Sequence, residues 1–264
     1  MNDPARVKLV ATDLDGTLVR GDRSLSPRTV AVLDALPVPL VIATGRPVRW
    51  LFNVYEQLSH KPIAVVANGA AVYDPERDEL MHSAPLSAEE LAHACAVLRE
   101  AVPEAAFAVE RDGGRTLLHE AAHQIGPWER ANEALLAELV NAPAAKLLVR
   151  AGRRDADEFT ALVGAALQGA YEATHSSSSG LVEISAAGVT KASGLAWVAA
   201  RLGVEAAEVV AFGDMPNDVP MLTWAGTGVA VANAHPAVLA AADEVTASNE
   251  DDGVALWIEK NLEF

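Results

Sequence analysis

The chain has one cysteine, Cys95, among 264 residues. That excludes an internal disulfide and suits a reducing compartment. Ala92, Ala94, Val97 and Leu98 surround it, so a buried structural thiol is expected rather than a nucleophile. Positive charge is scarce: 20 Lys and Arg stand against 36 Asp and Glu, a formal net charge of -16. This balance argues against nucleic acid or an anionic membrane surface as partner. It also means that an anionic ligand approaches through a repulsive field, which a binding site must invert locally with a bound cation and nearby Lys or Arg. No stretch approaches the ~18 apolar residues of a membrane span. The first strand is expected so near the N-terminus that no signal peptide precedes it, and a cytoplasmic location is the expectation. Internal repeats and long linkers are also missing.

What is present is apolar bulk and a regular alternation. Apolar residues make up 51% of the chain, enough for one large core or two smaller ones. The first third alternates strand and helix: strands over 7–13, 39–44 and 63–67, with helices over 26–36 and 48–58. Ser26-Pro27 supplies an N-cap and a proline at the first helical position. Such alternation predicts βαβ units and a parallel sheet.

The middle reads differently. Ser87 to Glu90 form a capping box that opens a helix to residue 100. Strands are expected over 107–110 and 116–118 around the turn Asp112-Gly113-Gly114. A helix over 128–139, a strand over 146–149 and a helix over 155–167 follow. Strands over 171–174 and 181–184 flank the polar run 176–179. Adjacent strands joined by short turns predict a separate α+β module. From Gly188 the βαβ rhythm returns, with helices over 191–202 and 219–224 and strands over 209–212 and 229–232.

Four short segments concentrate the chemistry. They are Asp13-Leu14-Asp15-Gly16-Thr17, Ala43-Thr44-Gly45-Arg46, Lys191, and Gly213-Asp214-Met215-Pro216-Asn217-Asp218. Three follow directly on apolar, β-branched runs that read as buried parallel strands. Ligands of open α/β sheets bind beyond the carboxyl ends of the strands. One sheet edge would therefore carry acidic residues, a hydroxyl and a lysine. Carboxylates, a hard cation and a lysine form a phosphoryl-transfer inventory. Asp13 and Asp15, two apart on an extended strand end, point the same way.

These segments, in this order, resemble the haloacid dehalogenase superfamily of phosphatases, and more narrowly its Cof-type group with a type IIB cap. The tail residues Asn233 to Val238, Ala242 to Thr246 and Ser248 to Ala255 match that group too. The resemblance implies an α/β fold: a doubly wound, mostly parallel Rossmann-like core over 1–83 and 187–264, with an inserted α+β cap domain over 84–186. It implies Asp13 as nucleophile and Asp15 as general acid/base. Thr44 and Gly45 would hold a phosphate oxygen, and Lys191 would neutralise the phosphate. Mg²⁺ would be held by Asp13, Asp214 and the backbone carbonyl of Asp15. Asp218 is assigned to orienting Lys191 or metal-bound waters, and Asn217 to donating to phosphate. Arg46 either reaches substrate or covers the sheet edge. Asn68 faces the site or merely forms a turn with Gly69.

One motif points elsewhere. His119-Glu120-Ala121-Ala122-His123 has the H-E-x-x-H pattern of zinc peptidases. That reading needs a helix and a third ligand, whereas this segment follows a strand and stops at Gly126-Pro127. By resemblance the two histidines would lie on the cap surface. The expectation is thus a Mg²⁺-dependent phosphatase acting on a small phosphorylated metabolite, a sugar phosphate, through an aspartyl-phosphate. The alternatives are a phosphomutase of the same fold, a zinc metallopeptidase on His119 and His123, and a non-catalytic sugar-phosphate binder.

Overall fold

The computed structural model describes residues 7–126, 129–176 and 180–262. Strands β1 (Leu9–Thr12), β2 (Leu40–Ala43), β3 (Ile63–Val66), β4 (Ala71–Asp74) and β5 (Glu79–Ser83) come first. The middle of the chain gives β6 (Ala106–Arg111), β7 (Thr116–His119), β8 (Asn132–Glu133), β9 (Lys146–Arg150), β10 (Glu172–Thr174) and β11 (Val182–Ser185). β12 (Val209–Gly213), β13 (Thr227–Ala230) and β14 (Glu244–Val245) close the series. The helices are α1 (Pro27–Asp34), α2 (Phe52–Tyr55), α3 (Ala88–Ala101), α4 (Leu136–Leu139), α5 (Ala156–Ala166), α6 (Lys191–Leu202), α7 (Val219–Trp224), α8 (Pro236–Ala241) and α9 (Gly253–Asn261).

Two sheets result. The first runs β14-β13-β12-β1-β2-β3-β4-β5, and the second β10-β11-β9-β6-β7-β8. From β14 to β3 the first sheet is parallel. β1 lies at its middle, where the strand order reverses. Leu9, Val10 and Ala11 are fully buried there, as a strand covered on both faces requires. The two sequence-distant parts of the chain meet along β1 and β12, paired Leu9 with Val209 through Thr12 with Phe212.

The second sheet is mostly antiparallel and alternates cleanly. Phe107, Val109, Leu147, Val149, Val182 and Ile184 pack with Leu91 and Leu98 of α3 and Phe159 and Val163 of α5 in one apolar cluster. The opposite face carries Glu110, Lys146, Leu148 and Glu183, which line a cavity shared with Asp13, Thr44 and Gly45 of the first sheet. The fold is thus α/β, a doubly wound core sheet with an α+β module inserted between β5 and α6.

Several segments depart from the sequence reading, among them the tail elements α8, β14 and α9, which it did not foresee. The helix expected over 48–58 is a 3-10 turn over Val48–Trp50 followed by the single α-turn of α2. The Trp50 carbonyl is diverted to the Arg46 guanidinium at 3.1 Å, and Val54 N–H turns back to Leu51 instead. The helix expected over 128–139 appears only as its last turn, α4, after the short strand β8; residue 128 lies outside the described residues, as do 177–179 of the polar run. The hairpin β4–β5, unforeseen, adds two antiparallel strands to the edge of the first sheet. Its turn is built by Asp74, whose Oδ1 accepts from the N–H groups of Glu76 and Arg77.

Candidate active site

The carboxyl ends of β1, β2 and β12 converge with the N-terminus of α6. Asp13 follows β1 directly, and its N–H extends the ladder by donating to the Phe212 carbonyl at 3.0 Å. Lys191 is the first residue of α6, capped by Thr190, whose hydroxyl accepts from Ser193 N–H. This helix start sits unusually close to the end of β3. A Cβ on Gly69, at φ +101°, would run into the Thr190 carbonyl, and one on Gly194 would run into Val65. Two glycines therefore let α6 deliver Lys191 into the site. Its ammonium, 1% exposed, donates to Asp13 Oδ1 at 2.7 Å and to Asp218 Oδ1 at 2.6 Å.

Asp218 has no free oxygen for another task. Its Oδ2 accepts from the N–H groups of Asp214 and Met215, both at 3.0 Å. It holds Lys191 and shapes the loop after β12. Asp214 accepts from the Thr17 hydroxyl at 2.7 Å through Oδ1. Its Oδ2 lies so near Gly16 (φ +80°) that no Cβ would fit there.

Burial and crowding set the electrostatics. Burial pushes the Asp13 carboxyl well above the usual range; Lys191 pulls it back, and Asp218, Asp214 and Asp15 push it up again. Asp214 rises to about 7, chiefly through burial and then the Asp218 charge. Burial works against charge on Lys191, but Asp13 and Asp218 outweigh it and hold the ammonium above its ordinary value. Carboxylates this close repel one another, and a cation relieves that repulsion. One oxygen from each of Asp13, Asp214 and Asp218 falls within 4.8 Å of the others. Both Asp218 oxygens already accept hydrogen bonds, whereas the hydrogen bonds of Asp13 and Asp214 run through Oδ1, which favours these two as donors to an ion. Hard carboxylate oxygens fit a divalent cation such as Mg²⁺.

Thr44 lies just past β2. Its Oγ1 accepts from Arg46 N–H at 3.0 Å, so its own hydrogen is directed elsewhere. Gly45 lines the cavity beside it. Arg46 grips Asp15 with two bonds of 2.6 Å. Burial opposes charge on Arg46, but the Asp15 partnership more than compensates. The Asp15 side chain is 56% exposed, unlike buried Asp13. Asn68 does more than turn the chain. It is buried, and its amide nitrogen donates to Glu183 while its Oδ1 accepts from Asn217 at 3.1 Å. A carboxylate only accepts, so this chain fixes both amide orientations and leaves Asn217 Oδ1 without a partner among the described residues.

The cavity between the two sheets measures about 830 Å³. Six basic side chains line it (Arg23, Arg46, Arg49, Arg130, Lys146 and Arg150) against five carboxylates (Asp13, Asp15, Glu110, Glu129 and Glu183). A molecule at -16 thus lines this chamber with one more basic than acidic side chain. The sequence reading missed the row Glu110, Lys146, Glu183 and the Arg49 that binds Glu110 and Glu129. The signal available was a charge at alternate positions of apolar strands, Lys146-Leu-Leu-Val and Val182-Glu-Ile.

The H-E-x-x-H segment is no zinc site. His119 ends β7 and the next residues turn without forming a helix. The Glu120 carboxylate is taken by Arg99 and by Phe107 N–H. Among the described residues the metal-suited group is Asp13, Asp214 and Asp218, and neither histidine belongs to it. The cap-surface expectation fails for His123, which is buried, lines the cavity and bonds the Ala106 carbonyl at 3.1 Å.

Known proteins agree with this architecture. A family model described as haloacid dehalogenase-like hydrolase matches residues 10–258. A phosphoglycolate phosphatase of Natronomonas pharaonis is 33% identical over 92% of this chain and 93% of its own. The 5-amino-6-(5-phospho-D-ribitylamino)uracil phosphatase YitU of Bacillus subtilis is 28% identical over 96% of each. Among solved structures, the HAD subclass IIB sugar phosphatase BT4131 shares the fold at a TM-score of 0.81, with 22% identity over 96% of this chain and 98% of its own. Matched along most of its length and sharing the capped architecture, the chain belongs to the haloacid dehalogenase-like hydrolase family.

Proposed function

We propose that the protein is a Mg²⁺-dependent phosphatase that hydrolyses a small hydroxylated phosphomonoester through an aspartyl-phosphate on Asp13. In this reading residues 84–186 form a cap over a core of 1–83 and 187–264. The observation that carries it is the buried Asp13–Lys191–Asp218 arrangement beside Asp214. Lys191 engages only Oδ1 of Asp13, leaving Oδ2 as the attacking atom.

The chemistry divides into two displacements. Asp13 attacks phosphorus, the phosphoester P–O bond breaks, and an acyl phosphate forms. Asp15 gives a proton to the departing alkoxide, then takes one from the water that attacks the same phosphorus. Asp13 is released with inorganic phosphate. Thr44, Gly45, the second amide hydrogen of Asn217 and Lys191 hold the transferring group, the ammonium countering its growing charge. Mg²⁺, held by Asp13, Asp214 and the Asp15 carbonyl, supplies charge neutralisation to the phosphoryl oxygens when bound. Arg46 ties Asp15 at both oxygens, so substrate must loosen that pair before Asp15 can serve as acid.

The leaving-group side of the cavity supports a hydroxylated substrate. Glu110 is 2% exposed and lines the cavity, and its Oε2 has no hydrogen-bond partner among the described residues. The Lys146 ammonium stands 3.6 Å from it, so this buried acceptor has room for a closer donor. A sugar or polyol hydroxyl supplies one, which an ionised carboxylate, an acceptor only, cannot. A panel of phosphomonoesters assayed with Mg²⁺ tests both levels. Polyol and sugar phosphates should exceed phosphoglycolate in kcat/KM by about tenfold or more. Asp13→Asn should cut turnover by at least ~10³ with the fold intact. Activity of that variant within tenfold of wild type would refute the covalent route.

A further inference from the structure

We infer that Lys146, carried by the inserted module, is a positioning residue that shapes the phosphate-holding loop of the core. The inference rests on the phosphatase reading above. Lys146 opens β9 opposite Glu110 of β6, with Glu183 on the neighbouring strand β11. It is 2% exposed. Its ammonium donates to Glu183 Oε2 at 3.0 Å. It also crosses from the second sheet to the first, donating to the carbonyl of Gly45 at 2.8 Å.

That carbonyl shares a peptide group with Arg46 N–H, the donor to Thr44 Oγ1. A trans peptide is planar, with its carbonyl and N–H opposed, so fixing one end fixes the other. Lys146 holds the carbonyl and Thr44 holds the N–H. The Thr44 hydroxyl, with one lone pair engaged, keeps its hydrogen available to donate to a phosphate beside it. A continuous polar chain then runs from the inserted module to the phosphate, each link polarising the next. The ammonium is itself braced, because Glu183 also accepts from Asn68 of the core and from the Ser176 hydroxyl. Burial disfavours charge on Lys146, but Glu183 and Glu110 together keep it protonated. Lifting the module off the core would remove the clamp from Gly45. Phosphate grip and module seating are thereby one event.

Inorganic phosphate is the discriminating probe, since it occupies the loop and has no leaving group to touch the inserted module. Its inhibition constant is read against p-nitrophenyl phosphate hydrolysis with Mg²⁺. Lys146→Met should weaken phosphate inhibition by about tenfold, the loss of one charge-assisted hydrogen bond. Lys146→Gln, which keeps a donor without the charge, should recover part of that loss. A folded Lys146→Met protein whose inhibition constant stays within twofold of wild type overturns the inference. So does a Lys146→Gln variant as weak as Lys146→Met, because charge alone would then explain the effect. If Lys146→Met shows no cooperative thermal transition, Glu183→Gln takes its place. Loosening the ammonium should weaken inhibition about threefold, and an unchanged constant overturns the inference. Wild-type protein that hydrolyses nothing on the panel refutes the phosphatase reading itself, a result distinct from any of these.

Discussion

Asp13 and Asp15 leave the end of one strand into different surroundings, and their replacements should fail differently. Asp13 is buried against Lys191, whereas Asp15 stands exposed against Arg46. In the general-acid role proposed for it, Asp15 matters most when the leaving group is poor. A sugar alkoxide needs a proton as it departs; p-nitrophenolate does not. Asp15→Asn should therefore cut turnover of a sugar phosphate about tenfold more than turnover of p-nitrophenyl phosphate, within the ~10²–10⁴ typical of acid catalysis. Asp13→Asn should show no such dependence, and equal losses in Asp15→Asn would move the acid/base role elsewhere. His123 makes a separate prediction for stability. Burial lowers its pKa to about 4, so the folded state keeps it neutral while the unfolded chain protonates near the ordinary 6.5. The unfolded state then binds more protons between those values. Its contribution is complete above about pH 6.5 and is lost as pH falls toward 4, up to about 3 kcal/mol. Denaturant titrations at pH 7 and pH 4.5 should show a smaller acid loss in His123→Asn than in wild type. Equal losses would place the acid sensitivity in other groups. At this scale the sequence was most legible where chemistry is local. Asp13 with Asp15, and Asp214 with Asp218, could be picked out because each pair falls in a short segment directly after an apolar strand, in an order that resembles a known family. Lys146 could not, because its partner Gly45 is 101 residues away and the pairing depends on how two sheets face each other.

Helix α6 shows what an element contributes beyond its own residues. Its start at Lys191 was legible from the sequence, but its depth of seating was not, since that depends on Gly69 and Gly194 meeting across the end of β3. Gly194→Ala drives a Cβ into Val65, a stiff β-branched neighbour. Overpacking of this kind costs about 1–3 kcal/mol, more than alanine's helical advantage over glycine of roughly 0.5–1 kcal/mol. The variant should unfold at lower temperature and lose turnover per folded molecule, because Lys191 moves with the helix start. Gly164 in α5 is the control: nothing lies within 4 Å of an added Cβ, so Gly164→Ala should be neutral or stabilising. Loss of stability in both variants alike would mean that close approach is not what Gly194 serves. The alternating strands and helices of the core were readable because parallel strands buried on both faces leave continuous apolar runs. The 48–58 segment was not, because the carbonyl that breaks its helical ladder is taken by a side chain, Arg46. The β4–β5 hairpin escaped for a similar reason: side-chain bonds from Asp74 make its turn.

At the scale of the whole molecule, the scarcity of positive charge and the crowding of carboxylates at one sheet edge act together. A chain at -16 gathers its basic residues around the cavity and still leaves Asp13, Asp214 and Asp218 pressed together beneath it. The need for local inversion of charge could be read from composition. The six basic side chains that do it could not, because they come from both the core and the inserted module. Without a cation the acidic cluster favours protons. Asp214, raised to about 7, binds a proton more readily folded than unfolded, so its contribution to stability is present at low pH and lost as pH rises through 7. A divalent ion should replace those protons, and metal and proton should compete. Mg²⁺ added to EDTA-treated protein should therefore raise the melting temperature more at pH 8 than at pH 5.5. At a concentration near 100 times its dissociation constant the gain at pH 8 should approach about 2.7 kcal/mol. Activity should vanish in EDTA and return with Mg²⁺, whereas Ca²⁺, with its larger and looser shell, should inhibit by misplacing the phosphate against Asp13. The same variable, cluster charge, thus links a thermal shift to turnover. Asp214→Asn should abolish both the Mg²⁺-dependent shift and the activity, since it removes a donor and part of the crowding together. An Asp214→Asn protein that keeps the full Mg²⁺ shift would place the ion elsewhere and detach the carboxylate cluster from metal binding.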